Sequence, residues 1–400
     1  MSMPSAVKHI NEVRLLSTLY RLGSSTRADL GRELNLMRST VGNIIAELIE
    51  KKQVLEFVDA SPNASGKSGR PGQKIGLNPR HSAYVGVDIG IDQLTVTMVD
   101  LAGDIIGTAS QPYEGIGSDV SATIDLLASI VNRSIESLPK GQKVQGMCLV
   151  IPGLFDKGTG RLMRAPVLGW FDVPIVQLLR KKIRWKGDID LENDANAFAA
   201  AEIYQRSATT TENALYLFMD YGVGGGLVCD GHLLRGRNGY AGEIGHLHLG
   251  EQGFELKTAV QGSFESYVGR NALLALFKRH GGNAKTLDDF MSSLVASKPA
   301  ATRTCTDWAW WMGRGLGSLV SVFNPAKLVL GGRMASLVPH VQDEIMDSVE
   351  RHLAQPYPLP SFELTQFGTE VCSLGGAMLS HRKVLSFKED LVFGEENSGE

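Results

Sequence analysis

The sequence predicts a mixed α/β protein in two parts: a winged helix-turn-helix over residues 1–80 and a larger α/β body over residues 81–400. Three observations predict it. Apolar residues between Ala6 and Lys52 recur at helical spacing, in three blocks separated by short turns. From Ala83 onward the pattern changes to buried, strand-like runs that first follow one another directly and then alternate with helical stretches. Charge divides at the same place. Residues 1–80 carry 12 Lys and Arg against 7 Asp and Glu, a balance of +5, which leaves −8 for the rest of a chain whose total is −3. A basic front on an acidic body suits a nucleic-acid reader attached to something else, although many solvated helices are equally basic.

The first block, residues 6–22, sets Ile10, Val13, Leu16, Leu19 and Tyr20 on one helical face, and Gly23 stops it. Thr26 caps the second, with Asp29 in its first turn and Ala28, Leu30 and Leu34 as packing positions. Asn35-Leu36 turns the chain into a third helix, RSTVGNIIAELIEKK, with Val41, Ile44, Ile45, Leu48 and Ile49 inward. Its opposite face presents Arg38, Ser39, Thr40 and Asn43, all able to donate hydrogen bonds to phosphates or base edges. Met37 stands where a Ser or Thr cap is usual, at a cost of about 1 kcal/mol unless Ser39 starts the helix later. Two β-like segments follow, QVLEFVD and QKIGLN, around a Gly-, Ser- and Pro-rich loop carrying Lys67 and Arg70. Two helices at a tight turn and a basic-tipped hairpin place the third helix in a major groove and the wing along backbone or minor groove. The plainer alternative is a packing module with a disordered loop. Helix lengths, turn placement and cationic wing agree against it.

In the body, AYVGVDIG, QLTVTMVDL and IIGTASQPY read as consecutive strands, VSATIDLLASIVNRSIESL as a helix and VQGMCLVIPG as a buried strand. The second half repeats the theme in NALYLFMDYGVGGGLVCDGHLLRG and KLVLGG, so VDIG and MDYG hint at a duplicated core. Gly-rich turns let backbone N–H groups approach a phosphate, yet tight β-turns use glycine anyway. The four cysteines, Cys148, Cys229, Cys305 and Cys372, are scattered and read as isolated reduced thiols. No apolar run nears the ~20 residues that cross a bilayer, and the N-terminus lacks a signal peptide's apolar core, so a cytoplasmic location without membrane attachment is expected.

Several stretches, in order, resemble the ROK family of repressors, open reading frames and sugar kinases, and in particular its xylose-, N-acetylglucosamine- and glucose-type repressors. They are VGVDIG, IPGLFD, LENDANAFAAAE, DYGVGGGLVCDGHLLRGRNGYAGEIGHLHLG, FESYVG, GRGLGSLVSVFNPAKLVLGG and SLGGAM. The resemblance implies a two-lobed actin-like ATPase fold of the sugar kinase and Hsp70 type. One lobe would span approximately residues 81–195 plus the C-terminal helices, the other 196–370. It further implies that Asn193, Asp194, Glu243, His246 and Glu265 hold sugar hydroxyls, with Gly153 (and Pro152) shaping the pocket floor. Such groups suit hydroxyls, because carboxylates and amides accept from neighbouring O–H groups and an imidazole takes another bond. Asn193 and Asp194 also read as a helix N-terminus before ANAFAAAE, a role compatible with facing a site.

In the family's kinases the residue at Asp194 is the general base, and Asp-x-Gly-Gly-Thr-Lys wraps the ATP phosphates. Here Ile91, Asp92 and Gln93 replace the last three of those residues. A branched side chain narrows the approach, and a carboxylate meets phosphate with no compensating cation, at ~1–4 kcal/mol for like charges near 4 Å. Tyr221 replaces a small hydroxyl residue in the second phosphate turn. No ATP-dependent kinase activity, and no catalytic residue, is therefore expected. Zinc is not expected either: the family's cysteine ligands fall on Leu256, Thr258 and Ser263, where Phe254, Leu256, Val260 and Phe264 would pack instead.

The expectation is a transcriptional regulator of carbohydrate metabolism, a repressor in the resembled branch, that binds operator DNA as a homodimer or homotetramer and answers to a sugar effector. The alternatives are a sugar kinase with an appended DNA-binding domain, an activator, or a regulator whose main partner is a protein. Five polar contacts fit hexoses, amino sugars or pentoses alike, free or phosphorylated.

Overall fold

Local signals build the N-terminal unit of the computed structural model, which describes residues 3–58, 73–204, 212–254, 256, 259–354 and 357–386. Its elements are α1 (Met3–Leu22), β1 (Ser24–Ser25), α2 (Arg27–Leu34), α3 (Arg38–Glu50), β2 (Val54–Val58) and β3 (Gln73–Leu77). Thr26 caps α2 by accepting the Asp29 N–H at 3.2 Å, and Asn35 ends it in the left-handed region at φ 53°. Helix α3 starts at Arg38 behind Met37, which gives no side-chain cap. Leu15, Leu16 and Leu19 of α1, Leu30 and Leu34 of α2, and Val41, Ile44, Ile45 and Leu48 of α3 make one buried centre. Two expected packing residues lie outside it: Ala28 and Ile49 are exposed, because each sits one position round the helix from the inward stripe.

The sheet order β1-β3-β2 completes a winged helix. Strand β1 is too short to show alternation; it exists because Ser24 and Ser25 pair antiparallel with Gly76 and Ile75. Lys67 and Arg70 lie outside the described residues.

The body contains two five-stranded sheets with mirrored construction. In the first, β4 (Ser82–Ile89), β5 (Gln93–Asp100) and β6 (Ile105–Pro112) form the expected meander. Helix α4 (Val120–Glu136) leads to β7 (Lys143–Val150), parallel to β4. A small sheet of β8 (Leu154–Asp156), β9 (Arg161–Ala165) and β10 (Trp170–Val173) is inserted before α5 (Ile175–Lys182) and β11 (Ile189–Glu192). The order is β11-β7-β4-β5-β6. Helix α6 (Asp194–Ile203) carries the chain to β12 (Ala214–Met219), β13 (Val223–Cys229) and β14 (His232–Leu233).

Four helices follow, α7 (Phe264–Val268), α8 (Arg270–Arg279), α9 (Leu287–Val295) and α10 (Pro299–Phe323), and then β15 (Lys327–Gly331), α11 (Gln342–Arg351), β16 (Ser361–Leu364) and α12 (Val371–Arg382). The second order is β14-β13-β12-β15-β16, so an antiparallel trio followed by two parallel strands recurs, as the repeated Asp-x-Gly suggested. The small-residue stretch Gly313–Gly317 is core: Gly315 faces the ring of the fully buried Phe264. All four cysteines are free thiols. Among the described residues, no helix is long and apolar enough to cross a membrane.

Helix α12 returns to pack on β4 and β7 of the first sheet while α6 packs on β13 of the second, and the two helices meet between the sheets. The contact is close: a Cβ on Gly375 would lie 1.7 Å from the Ala197 carbonyl oxygen. The strand ends of both sheets therefore open on a common cleft beside this helix pair.

Candidate functional site

A cavity of about 370 Å³ occupies that cleft, and it draws its walls from segments far apart in sequence. Asn193, Asp194, Glu243, His246 and Glu265 all line it, with Pro152 and Gly153. Each is placed by a local device. Asn193 caps α6, accepting the Ala195 N–H at 2.9 Å, and its amide reaches the Gly153 carbonyl. Gly153 takes φ +132°, and a Cβ there would stand 2.3 Å from the Arg164 carbonyl oxygen. Asp194 follows in the first turn of α6, where the N-terminal dipole favours a carboxylate. Glu243 and His246 flank one 3-10 turn, Ile244–His246, and stay open to the cavity. Glu265 sits in the first turn of α7 and accepts the Val223 N–H at 3.0 Å.

Behind Asn193 lies an ionic support absent from the sequence reading. Glu192, 2% exposed, accepts the Asn193 N–H at 3.1 Å and the Asn196 amide at 3.2 Å. Lys157 of the inserted sheet reaches it at 3.1 Å, and Arg235, beyond β14, pairs with the same oxygen. Burial by itself would raise this carboxyl; Arg235 and then Lys157 outweigh it and hold Glu192 below the usual range.

Four other carboxyls of the cleft, Asp88, Asp194, Asp220 and Glu265, form no ion pair among the described residues. Burial pushes Asp194 up to about 6, with Glu243 adding to it, and raises Glu265 to about 7, with Glu243 and Asp194 adding. Asp88, at the end of β4, is driven well above its ordinary value by burial and then by Asp194 and Asp220. Asp220 reaches about 6 through burial, against the pull of Arg333 and Arg270. One carboxylate oxygen each of Asp88 and Asp220 is buried without a hydrogen bond among the described residues.

Asp92, Tyr221 and Arg333 also line the cavity. The sequence left Asp92 without a compensating cation. The structure supplies two: Arg333 pairs with its Oδ2, and Arg270 approaches the same oxygen at 3.6 Å. Tyr221 donates to Oδ1 at 2.9 Å. Composition and spacing mark neither arginine, although Arg333 carries one signal: it directly follows the Gly-Gly that ends β15 at the cleft.

Where the resemblance puts zinc, Ser263 caps α7 through the Ser266 N–H and Leu256 is half-buried. Thr258 lies outside the described residues. Phe264 is buried and Phe254 packs beside it, but Val260 is 64% exposed and contributes no packing. The His246 backbone N–H donates to the Glu243 carbonyl at 3.1 Å, while its side chain makes no hydrogen bond among the described residues and lines the cavity.

On the winged helix, Arg38, Ser39 and Asn43 are exposed and Thr40 is half-buried along the outer face of α3. Arg38 has no ion-pair partner among the described residues, whereas Arg21, Arg27, Arg32, Lys8 and Lys51 of the same unit are each paired with a carboxylate. These residues and the cavity lie in separate parts of the molecule.

The sequence model of the ROK family matches residues 84–383. A xylose repressor from Caldicellulosiruptor bescii is 25% identical over 97% of this chain and the whole of its own length. A glucokinase from Halalkalibacterium halodurans is 26% identical but spans only 74% of this chain and 94% of its own. The crystal structure of a ROK family transcriptional regulator, a homolog of the Escherichia coli MLC protein, superposes with a TM-score of 0.76 over 95% of this chain and 97% of its own, at 20% identity. The repressor's match thus extends across the winged helix; the glucokinase's covers a stretch comparable to the body alone.

Proposed function

The chain belongs to the ROK family, and from that premise we propose that it is a transcriptional repressor of carbohydrate genes, released or engaged by a sugar bound in the cleft. One observation carries the reading: five side chains able to bond sugar hydroxyls, from three segments, line one cavity on the same chain as a winged helix with an exposed donor face. The carboxylates and the Asn193 amide accept from neighbouring sugar hydroxyls, and His246 supplies either a donor or an acceptor. Arg38, Ser39, Thr40 and Asn43 read the groove, and a homodimer reads two half-sites.

The cleft does no phosphoryl transfer in this reading. Ile91, Asp92 and Gln93 offer no phosphate grip, and the cations nearby are engaged by Asp92 itself. No zinc is held, since Leu256, Thr258 and Ser263 offer neither thiolate nor imidazole. One observation favours a kinase instead: Asp194, raised to about 6, is tuned as a general base would be. A coupled assay with ATP and a hexose panel separates the two, and turnover above the blank would refute the repressor reading's loss of chemistry.

The direct test pairs two substitutions. Glu243→Ala abolishes the sugar response and leaves operator affinity intact. Arg38→Ala weakens operator binding by about 1–3 kcal/mol and leaves sugar affinity intact. Fluorescence anisotropy on operator DNA and thermal shift with a sugar panel read both. A sugar at 100 times its Kd stabilises the fold by about 2.7 kcal/mol. If each variant loses both functions, the division of roles is wrong.

A further inference from the structure

Two of the four positions that break the kinase pattern, Asp92 and Tyr221, are hydrogen-bonded to each other across the cleft. Asp92 lies in the turn between β4 and β5, on the first sheet's side. That turn is fixed by Tyr113, whose N–H donates to the Asp92 carbonyl at 3.1 Å and whose hydroxyl donates to the Gly90 carbonyl at 2.7 Å. Tyr221, Arg270 and Arg333 all come from the second sheet's side. The Arg270 guanidinium stacks over the Tyr221 ring at 4.1 Å, and Arg270 is only 8% exposed. Its Nη1 is buried without a hydrogen-bond acceptor among the described residues and lies 3.6 Å from Asp92 Oδ2.

Two guanidinium groups and a phenol converging beside a glycine turn form a place for an anion. The anion present is a side chain of the protein. The rest of the cavity has the opposite character. Asp88, Asp92, Asp194, Asp220, Glu243 and Glu265 line it, against Arg333 as the one Lys or Arg among the lining residues. A phosphate group entering this space finds its natural partners already neutralised and meets unpaired carboxyls elsewhere.

We propose that Asp92 is a built-in anion that occupies the phosphate end of the cleft, ties the two sides together through Tyr221, Arg270 and Arg333, and confines the effector to uncharged sugars. The effector class rests on the sugar-binding reading above. The occupancy of the anion place does not. The pair is reversible: the Asp92 and Arg333 side chains are 33% and 46% exposed, so water competes for both. Opening costs little, and the carboxylate, tethered at the site, outcompetes a free anion through its local concentration.

The test uses inorganic pyrophosphate as a probe, on the full chain, by calorimetry. The wild type shows no saturable binding. Asp92→Asn, which keeps the shape and removes the charge, gains binding at least tenfold above the wild-type limit. Adding Arg333→Gln to Asp92→Asn removes the gain. If the amide variant unfolds at the working temperature, Asp92→Ser makes the same comparison. Wild-type protein that binds pyrophosphate as tightly as a folded Asp92 variant overturns the proposal, as does a folded variant that gains nothing.

A second arm compares free sugars with their phosphate esters. For any sugar that raises the melting temperature, the ester binds wild type at least tenfold more weakly, and Asp92→Asn narrows the gap. An ester that binds wild type as well as its parent sugar overturns the confinement to uncharged effectors. If no sugar stabilises the protein, the sugar reading fails, while the pyrophosphate arm still decides whether Asp92 holds the anion place.

Discussion

Glu265 and Asp194 combine burial with a place in the cavity wall, which makes them sensitive to both pH and ligand. Burial raises them to about 7 and about 6, so the folded protein keeps protons that an unfolded chain releases nearer the ordinary values of 4.5 and 3.8. Their contribution to stability is therefore fully present below the ordinary values and is lost as pH rises through the folded ones. Glu265→Gln removes one of these groups, and thermal melts from about pH 5 to about pH 8 should show a shallower decline for it than for wild type. A sugar hydroxyl donating to either carboxylate favours the ionised form. Sugar affinity should then rise over the same interval, with protons released on binding, measured by calorimetry in buffers of different ionisation enthalpy. Affinity that falls with pH would mean these carboxyls donate to the sugar rather than accept from it. At this scale the sequence was informative about which polar residues come together, because Asn193, Asp194, Glu243, His246 and Glu265 all line one cavity. It was uninformative about which partner each one finds. Asp92 and Arg333 are 241 residues apart, and no local pattern marks two side chains that meet only when the sheets fold against each other.

Elements were readable where a period or a cap announces them. Thr26, Asn35 and the inward stripe of α3 fix the helix-turn-helix locally, and the repeated strand-turn-strand of the two halves exposes the duplicated body. The missed pieces are short and held by tertiary pairing: β1 has two residues, and β8, β9 and β10 have three to five, below the length at which alternation can be told from chance. The start of α3 shows what a local signal does and does not decide. Met37 is 78% exposed, with φ −62° and ψ 145°, so the backbone already has N-cap geometry while the side chain offers no acceptor. Helix packing through Val41, Ile44 and Ile45 fixes the boundary without the cap. Met37→Ser should add a bond to the N–H of Ser39 or Thr40 and stabilise the protein by about 1 kcal/mol in urea unfolding, with an unchanged m-value. No gain would show that another group already satisfies those N–H groups. Because Met37 adjoins Arg38, operator affinity measured alongside tells whether the exposed methionine serves DNA binding, which would account for its presence at a poor capping position.

For the whole molecule, the question is how a sugar between the two sheets could be felt by a helix on DNA, and the packing offers a short route. Helices α6 and α12 cross at the cleft, and their far ends both touch one residue of the winged helix. Tyr20 of α1 donates its hydroxyl to the carbonyl of Tyr204, the C-cap of α6, at 2.5 Å. Its ring lies 5.0 Å from that of His381, in the last turn of α12. His381 is itself fixed, with Nε2 2.9 Å from the Leu101 carbonyl oxygen and its ring edge-on to Tyr84 at 5.0 Å. The surrounding apolar cluster runs without a break from Leu30 and Ile45 of the winged helix to Ala197 and Ala377 of the crossing helices. If sugar binding changes the angle between α6 and α12, Tyr20 cannot keep both contacts, and α1 must move with one helix or the other. Coupling of this kind typically amounts to 1–3 kcal/mol, about 5- to 150-fold in affinity. Tyr20→Phe keeps the ring and removes the hydroxyl that bonds the Tyr204 carbonyl. It should leave operator affinity in the absence of sugar within about twofold, while the ratio of affinities with and without a saturating sugar moves toward one. Tyr20→Ala should do the same and also destabilise the fold by about 3 kcal/mol, as the loss of a buried aromatic ring does. Anisotropy titrations on operator DNA give the ratio, and unfolding curves separate lost coupling from lost fold. A Tyr20→Phe protein with its full sugar response would place the transmission elsewhere, in the apolar cluster that joins the two units or in the chain between β3 and β4.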